Sequence, residues 1–379
     1  MKNCKKGSAA AAVIAVAVST VVVLALLAFI GRNVGRPKSA KSSTGSSIVL
    51  TDNMEIYGAN CTSRALDGII AIPRRYWLKD SDIVAPKPNP DCYGQTDDPA
   101  VLRDLIQRAA PLLGGQTLYF DPNTQLLPGS QVQYYMDDTI LTITWKTVIN
   151  QSVYTFSETK ILHGSQLRRF LAGGEFGSDK QFTTTEMSES VNAVVASSGD
   201  FYKFRYAGIV VYEGQVRRVN TNRADTCFIT EDGDLLFSYQ NEKMTLEEAQ
   251  AFVDENKVRF SLTFGPVLVD DYQRCEPKDY DIGQPNSNSS RAALCQMGPL
   301  HYLLVNVNPD ADSGNPCTIN IHQLAEQVQK TGCVKAYTLD GGQTAVIAMQ
   351  GQTVNPVLFG QQREISDIIY FATAIPEGD

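Results

Sequence analysis

The sequence predicts an α/β domain of the mixed α+β type, and three observations point there. Residues 132–136, 139–146 and 152–161 are successive β-branched and aromatic runs with partial alternation, as in sheets that keep one wet face. Helical stretches punctuate them. Residues 97–110 open on Asp97-Asp98-Pro99, a cap followed by a first-turn proline, and carry apolar residues at helical spacing. Thr245-Leu246-Glu247-Glu248 is a capping box that opens a second helix, and residues 321–328 read as a third. Finally, the apolar run 334–339 breaks at Asp340-Gly341-Gly342-Gln343-Thr344 and resumes at Ala345, the pattern of a buried strand turning tightly.

The remaining elements follow in order. Pro86-Lys87-Pro88-Asn89-Pro90 reads as an extended loop. Residues 166–171 read as a short helix or loop ending at Gly173-Gly174, and residues 191–202 as a strand running into a Ser198-Gly199-Asp200 turn. Residues 208–216 and 226–238 read as hairpins that turn at Glu213-Gly214 and Asp232-Gly233. No repeat at a fixed period occurs.

Composition sets outer limits. The 379 residues are 43% hydrophobic and 20% charged, an ordinary globular balance. Net charge is −8, yet residues 1–42 contain Lys2, Lys5, Lys6, Arg32, Arg36, Lys38 and Lys41 and no acid, so the body is more acidic than the total. Such a body repels nucleic-acid phosphates, and no basic stripe offsets it. Ala9 to Ile30 is apolar except for Ser19 and Thr20. That is enough for a bilayer-spanning helix of about 20 residues, and no small-x-small cleavage site follows it. The sequence therefore reads as a short inner head (1–8), a single membrane helix (9–30), a flexible stalk (31–47) and an outward-facing body. Residues 48–130 are either a membrane-proximal unit or the first elements of the main domain, 131–379.

An outward body suits disulfides. Beyond Cys4, the seven cysteines are compatible with the neighbour pairings Cys61–Cys92, Cys275–Cys295 and Cys317–Cys333, with one left over. A zinc site is disfavoured, because no Cys-x-x-Cys exists and His163, His301 and His322 are far apart. Asp310-Ala311-Asp312-Ser313-Gly314 looks like a fragment of a calcium loop without its later glutamate. Asn60, Asn150 and Asn288 head glycosylation sequons.

The Asp340 turn sets a carboxylate, paired glycines that free the backbone, an amide and a hydroxyl side by side. That set suits an anionic or polyhydroxylated ligand, although Asp-Gly-Gly is also an ordinary hairpin turn. Its surroundings decide the matter. Residues 261–271, with Gly265-Pro266, come first, then Ser290-Arg291-Ala292-Ala293-Leu294 and the strand 301–307. Residues 321–328 and Leu339-Asp340-Gly341-Gly342 follow, and Asn355-Pro356 and 362–371, with Arg363 and Asp367, close the series. In this order the blocks resemble the phosphodiester glycosidase family, firmly over 260–373 and less firmly back to about Leu162. Two departures stand out. Ser198-Gly199 occupies a turn that is usually Asn-Gly, and Gln343-Thr344 follows two glycines where the family has three and a serine.

The resemblance implies a mixed-sheet domain and hydrolysis of a sugar-1-phosphodiester in a surface or cell-wall glycan, with no cofactor. A phosphate is already a good leaving group, so the site must stabilise an oxocarbenium-like centre and hold the phosphate charge. Asp340 and Asp200 are expected as nucleophile or base and partner, and Arg291 as the phosphate ligand, because a guanidinium forks onto two oxygens. Arg363 and Arg205 are its alternatives. Gly341, Gly342, Gln343, Thr344, Asp367, Ser198 and Gly265 are expected to line the substrate. The rival expectation is a protein that grips glycan on this fold without cleaving it.

Overall fold

The computed structural model describes residues 54–56, 71–73, 78–221, 223–276, 280, 284–309 and 319–376. Asp52–Asp379 form one compact unit. The expected membrane helix 9–30, the stalk, the acidic stretch 310–314, Asn60 and the cysteines Cys4, Cys61 and Cys317 lie outside the described residues. Among the described residues no helix is long and apolar enough to cross a membrane.

The largest sheet has nine strands. Their spatial order is Gln273–Arg274, Val267–Asp270, Lys335–Leu339, Arg291–Gly298, His301–Pro309, Ser152–Ile161, Ile140–Ile149, Val132–Met136 and Tyr93–Thr96. All of its pairings are antiparallel. The mixed sheet implied by the resemblance therefore gives way to an antiparallel one. Four of its eight neighbouring pairs are hairpins of consecutive strands, a connection open only to antiparallel neighbours. Tyr93–Thr96 pairs with Val132–Met136, so part of the 48–130 stretch is built into this sheet.

Helices Pro99–Arg108 and Ile321–Lys330 cover one face. Asp98 caps the first through the Ala100 N–H at 2.8 Å, ahead of Pro99. Asn320 and Gln323 form a capping box on the second. Their apolar stripes, Leu102 and Leu105 on one and Ile321, Leu324, Ala325 and Val328 on the other, pack on Ile143, Trp145, Leu303 and Val305. The opposite face meets two smaller sheets. One runs Gln352–Thr353, Ile347–Met349, Val195–Ser198, Asp367–Phe371, Leu167–Leu171; the other runs Leu235–Ser238, Thr226–Thr230, Val258–Leu262. Leu294, Leu304, Tyr337 and Leu339 pack there against Val195, Ile347, Ile369, Phe371 and Leu262.

Covering both faces changes two local expectations. Ser152–Ile161 has no wet face; all ten positions are buried. Two of its polar residues pair across the sheet, Thr159 with Thr142 at 3.0 Å and Ser157 with Thr144 at 2.7 Å, and Glu158 accepts from the Tyr119 and Phe120 N–H groups. Residues 164–171 are a short 3-10 turn followed by the strand Leu167–Leu171, which pairs with Asp367–Phe371.

The cysteines also differ. Cys92, Cys227, Cys275, Cys295 and Cys333 are free thiols. Cys275 packs with the core between the sheets, while Cys295 lies in the helix-side core, so the expected Cys275–Cys295 bond would have to pass through the sheet. Cys295 instead lies with Cys333 in the helix-side core.

Candidate active site

Three strands, Val195–Ser198, Lys335–Leu339 and Val258–Leu262, end at one place, where Asp367–Phe371 begins. Backbone bonds stitch these ends together. Gly199 N donates to Asp367 O at 3.2 Å, and Asp340 N donates to Gly199 O at 3.0 Å. The Ser198 hydroxyl, fully buried, donates to Asp340 O at 2.9 Å. Glycine at 199 makes this approach possible, since a Cβ there would lie 2.5 Å from Asp367 Oδ2 and 3.1 Å from Asp367 O. Gly199→Ala is expected to cost about 1–3 kcal/mol by overpacking, read as a lower urea midpoint. Unchanged stability would mean that the strand ends are loosely held.

Asp340 occupies the turn at this junction and is 5% exposed. Burial pushes its carboxyl up to about 6, against the opposing pull of Arg363 and Arg205. Arg363 Nη2 lies 3.4 Å from Asp340 Oδ2, and its side chain is half exposed. Arg205 donates to Phe264 O at 2.8 Å and lies over the Phe264 ring, 4.5 Å from its centroid. Both guanidinium groups also sit 5.7 Å from the Phe201 ring centroid. Asp340 thus has a cation contact on an exposed side, with Arg205 acting on it as a second positive neighbour.

Asp200 and Asp367 are anchored differently. Asp200 Oδ2 accepts from Thr263 N at 2.6 Å and Thr263 Oγ1 at 2.8 Å, and Oδ1 accepts from Phe201 N at 2.6 Å. Asp367 Oδ1 accepts from Asp200 N at 3.0 Å, and its Oδ2 accepts from Arg169 Nε at 2.7 Å. Arg169 Nη2 reaches to 3.5 Å from Asp200 Oδ2, and all three side chains are at most 1% exposed. These carboxylates shape the floor of the site. Burial raises Asp367 to about 7; Arg169 counters this and Asp200 adds to it, one guanidinium serving two carboxylates.

The sign of the resulting stability change follows directly. An ordinary aspartate titrates at 3.8, whereas Asp340 and Asp367 are held up to about 6 and about 7 in the folded protein. Between those values the folded state binds more protons than the unfolded chain, so stability falls as pH rises. Urea midpoints are expected to decline from pH 4 toward pH 7, and Asp367→Asn is expected to flatten that slope.

The other expected residues sort plainly. Arg291 is buried and its Nη2 donates to Gln284 O at 2.9 Å and to Ser287 O, so this nitrogen holds the 284–287 loop, while its Cα borders Gly341 of the Asp340 turn. Gly342 N donates to Ser290 O at 2.9 Å and Thr344 N to Gly341 O at 3.3 Å, so these two amides are spent within the fold and do not face a ligand. Thr344 Oγ1 donates to Gly341 O at 2.6 Å. Gly341 fits against Ser290 O, 2.6 Å from where a Cβ would stand. Gln343 is half-buried on the turn. Gly265 takes φ 63° where a Cβ would strike the Tyr280 hydroxyl, and so it shapes the wall beneath Phe264. His301 pairs with buried Glu158 at 2.8 Å, within the large sheet. Arg169 and Thr263 are the site residues that sequence reasoning missed. Among the described residues no group of three His, Cys, Asp or Glu is placed to hold a metal ion.

Residues 191–372 match the phosphodiester glycosidase family. A curated relative, an SPbeta prophage-derived uncharacterized protein of Bacillus subtilis (strain 168), is 23% identical over 201 residues, 51% of this chain and 30% of the relative. The chain thus spans under a third of that protein's length. Among solved structures, the zebrafish N-acetylglucosamine-1-phosphodiester alpha-N-acetylglucosaminidase catalytic domain, auto-inhibited by its pro-peptide, matches with a TM-score of 0.50. The identity is 14%, covering 62% of this chain and 84% of that one. A hypothetical protein from Synechocystis matches at a TM-score of 0.45 and 13% identity, over 66% of this chain and 64% of its own. At these identities the zebrafish likeness shows the fold alone.

Proposed function

We propose, from the premise that residues 191–372 of this chain are a phosphodiester glycosidase domain, that the protein hydrolyses a sugar-1-phosphodiester at Asp340. The observation that carries this reading is a single carboxylate, raised to about 6, at a strand junction with Arg363 and Arg205 as its positive neighbours. Water attacks the anomeric carbon, the C1–O bond breaks, and the phosphate leaves as a monoester. The leaving group needs little acid help, so Asp340 acts as the base that takes the proton from water. Arg363 and Arg205 hold the phosphate in place of the expected Arg291, whose guanidinium is committed to loop carbonyls. Asp200, saturated by Thr263 and Phe201, serves as the floor beneath Asp340 instead of touching the substrate.

The printed activity of the zebrafish neighbour makes N-acetylglucosamine the first sugar to try. An outward body on a single membrane helix, residues 9–30, with a surface or cell-wall glycan as substrate, completes the proposal. The test incubates the full chain with α-N-acetylglucosamine-1-phospho-methyl and other sugar-1-phosphodiesters, with and without chelator. Release of free sugar indifferent to chelator is expected. No release from any sugar, alongside measurable glycan binding, would replace the hydrolase with a glycan-binding protein.

A further inference from the structure

The stretch that carries Asp340 crosses from one sheet to another. Leu339 pairs with Ala292 in the nine-stranded sheet, whereas Ile347 pairs with Ser197 in the smaller one. The chain then turns through Gln352–Thr353 and runs on to Arg363, the cation 3.4 Å from Asp340. Both partners of that contact therefore flank the hairpin 347–353, Asp340 on the chain entering it and Arg363 on the chain leaving it. Two amide side chains tie the flanks down. Asn355, 6% exposed, accepts from Ile347 N at 2.6 Å through Oδ1. Its Nδ2 lies 2.8 Å from Ala345 O, 3.0 Å from Asn308 Oδ1 and 2.7 Å from Pro356 O. Asn308, fully buried on the strand His301–Pro309, donates to the same Ala345 O at 3.2 Å. At the far end of the loop, Gln362 Nε2 donates to Thr353 Oγ1 at 2.6 Å and to Thr185 Oγ1 at 3.2 Å. The hydrolytic step uses neither amide.

We propose that Asn355 and Gln362 are positioning residues that together set the contact between Arg363 and Asp340. The inference rests on the reading of Asp340 as the base. Asn355 fixes the carboxylate's side, because it fastens the end of the Asp340 turn to the hairpin, to the large sheet and to the start of the Arg363 loop. Gln362 fixes the arginine's side, one residue before Arg363. Losing either amide leaves buried partners unpaired, so the segments it joins must shift to satisfy them. The contact they set is sensitive to such a shift. Arg363 is half exposed, and the attraction of its guanidinium for the carboxylate weakens with distance and with the water that enters between them. Without its ties, a long flexible side chain at that edge has no reason to stay on Asp340.

The test follows the Asp340 carboxyl by ¹³C NMR in the full chain, labelled at aspartate and assigned with Asp340→Asn, so that no substrate is needed. The charged groups acting on this carboxyl are Arg363 and Arg205, which draw its titration down, and Asp200, which raises it. Asn355→Ala and Gln362→Ala are each expected to move the titration upward from about 6, in the direction of Arg363→Ala. Neither should move it further once Arg363 is alanine, since the ties then hold nothing that acts on Asp340. A purely structural role would add to Arg363→Ala instead of vanishing with it. Gln362 is only half-buried, so its variant decides the matter should Asn355→Ala fail to fold. In turnover, Gln362→Ala should raise KM several-fold with kcat at pH 8 nearly unchanged, as loss of a phosphate contact requires. A titration unmoved by Gln362→Ala, or a shift that persists in full without Arg363, would overturn the proposal. No cleavage of any diester, with the Arg363-dependent shift present, would sink the hydrolase reading and leave the two ties standing. Cleavage with an unmoved titration would do the reverse.

Discussion

Asp340→Asn is expected to lower kcat/KM on a sugar-1-phosphodiester by roughly 10³-fold, within the 10²–10⁴ that a positioned acid or base contributes. Two features separate this from loss of folding. Asp340 is held near 6 chiefly by burial, so replacing it with a neutral isostere removes an unfavourable buried charge, and stability near pH 7 should hold or rise. The pH profile supplies the second signature. A base must be ionised, so in the unaltered protein kcat/KM should climb as pH rises through about 6. Arg363→Ala should move that limb upward, because the guanidinium at 3.4 Å is one of the groups drawing it down. A profile that instead falls above pH 6 would make Asp340 an acid, and would reverse the order of proton transfer proposed here.

Arg169→Met should have the largest effect on the fold. The guanidinium lies between two fully buried carboxylates, 2.7 Å from Asp367 and 3.5 Å from Asp200, and also donates to Ser261 O. Removing one partner of a buried ion pair leaves an uncompensated charge and costs about 3–5 kcal/mol. The loss should be greater at pH 8 than at pH 5, because protonation of Asp367 relieves it. Adding Asp367→Asn to Arg169→Met should recover part of the stability. Equal loss at both pH values would point to lost packing against Tyr202, whose ring centroid lies 5.0 Å from the guanidinium carbon, as the main term.

These two residues also mark what could be read in the sequence. The Asp340 turn was legible because a strand, a carboxylate and two glycines are adjacent in the chain. The helix starts at Pro99 and Leu246 and the turns at Glu213-Gly214 and Asp232-Gly233 were legible for the same reason: local chemistry fixes them. Arg169 was not. Its partner Asp367 is 198 residues away, and an arginine in a short apolar run carries no sign of which carboxylate it will meet. Arg291 shows how little a strand position says about a long side chain. Its place at the start of a strand beside the Asp340 turn is real in the backbone, yet the side chain turns to the carbonyls of 284–287. Position along a strand fixes where a residue begins, while packing decides where a long side chain ends. The strand Ser152–Ile161 erred likewise, since only the assembled sheets reveal that both of its faces are covered.

The central claim is that the sugar–oxygen bond breaks, and hydrolysis in ¹⁸O-labelled water reads it directly. Attack at the anomeric carbon puts the label on the released sugar and leaves the phosphate monoester unlabelled, as Asp340-assisted glycosidic cleavage requires. Label in the phosphate would show attack at phosphorus, and would contradict the account.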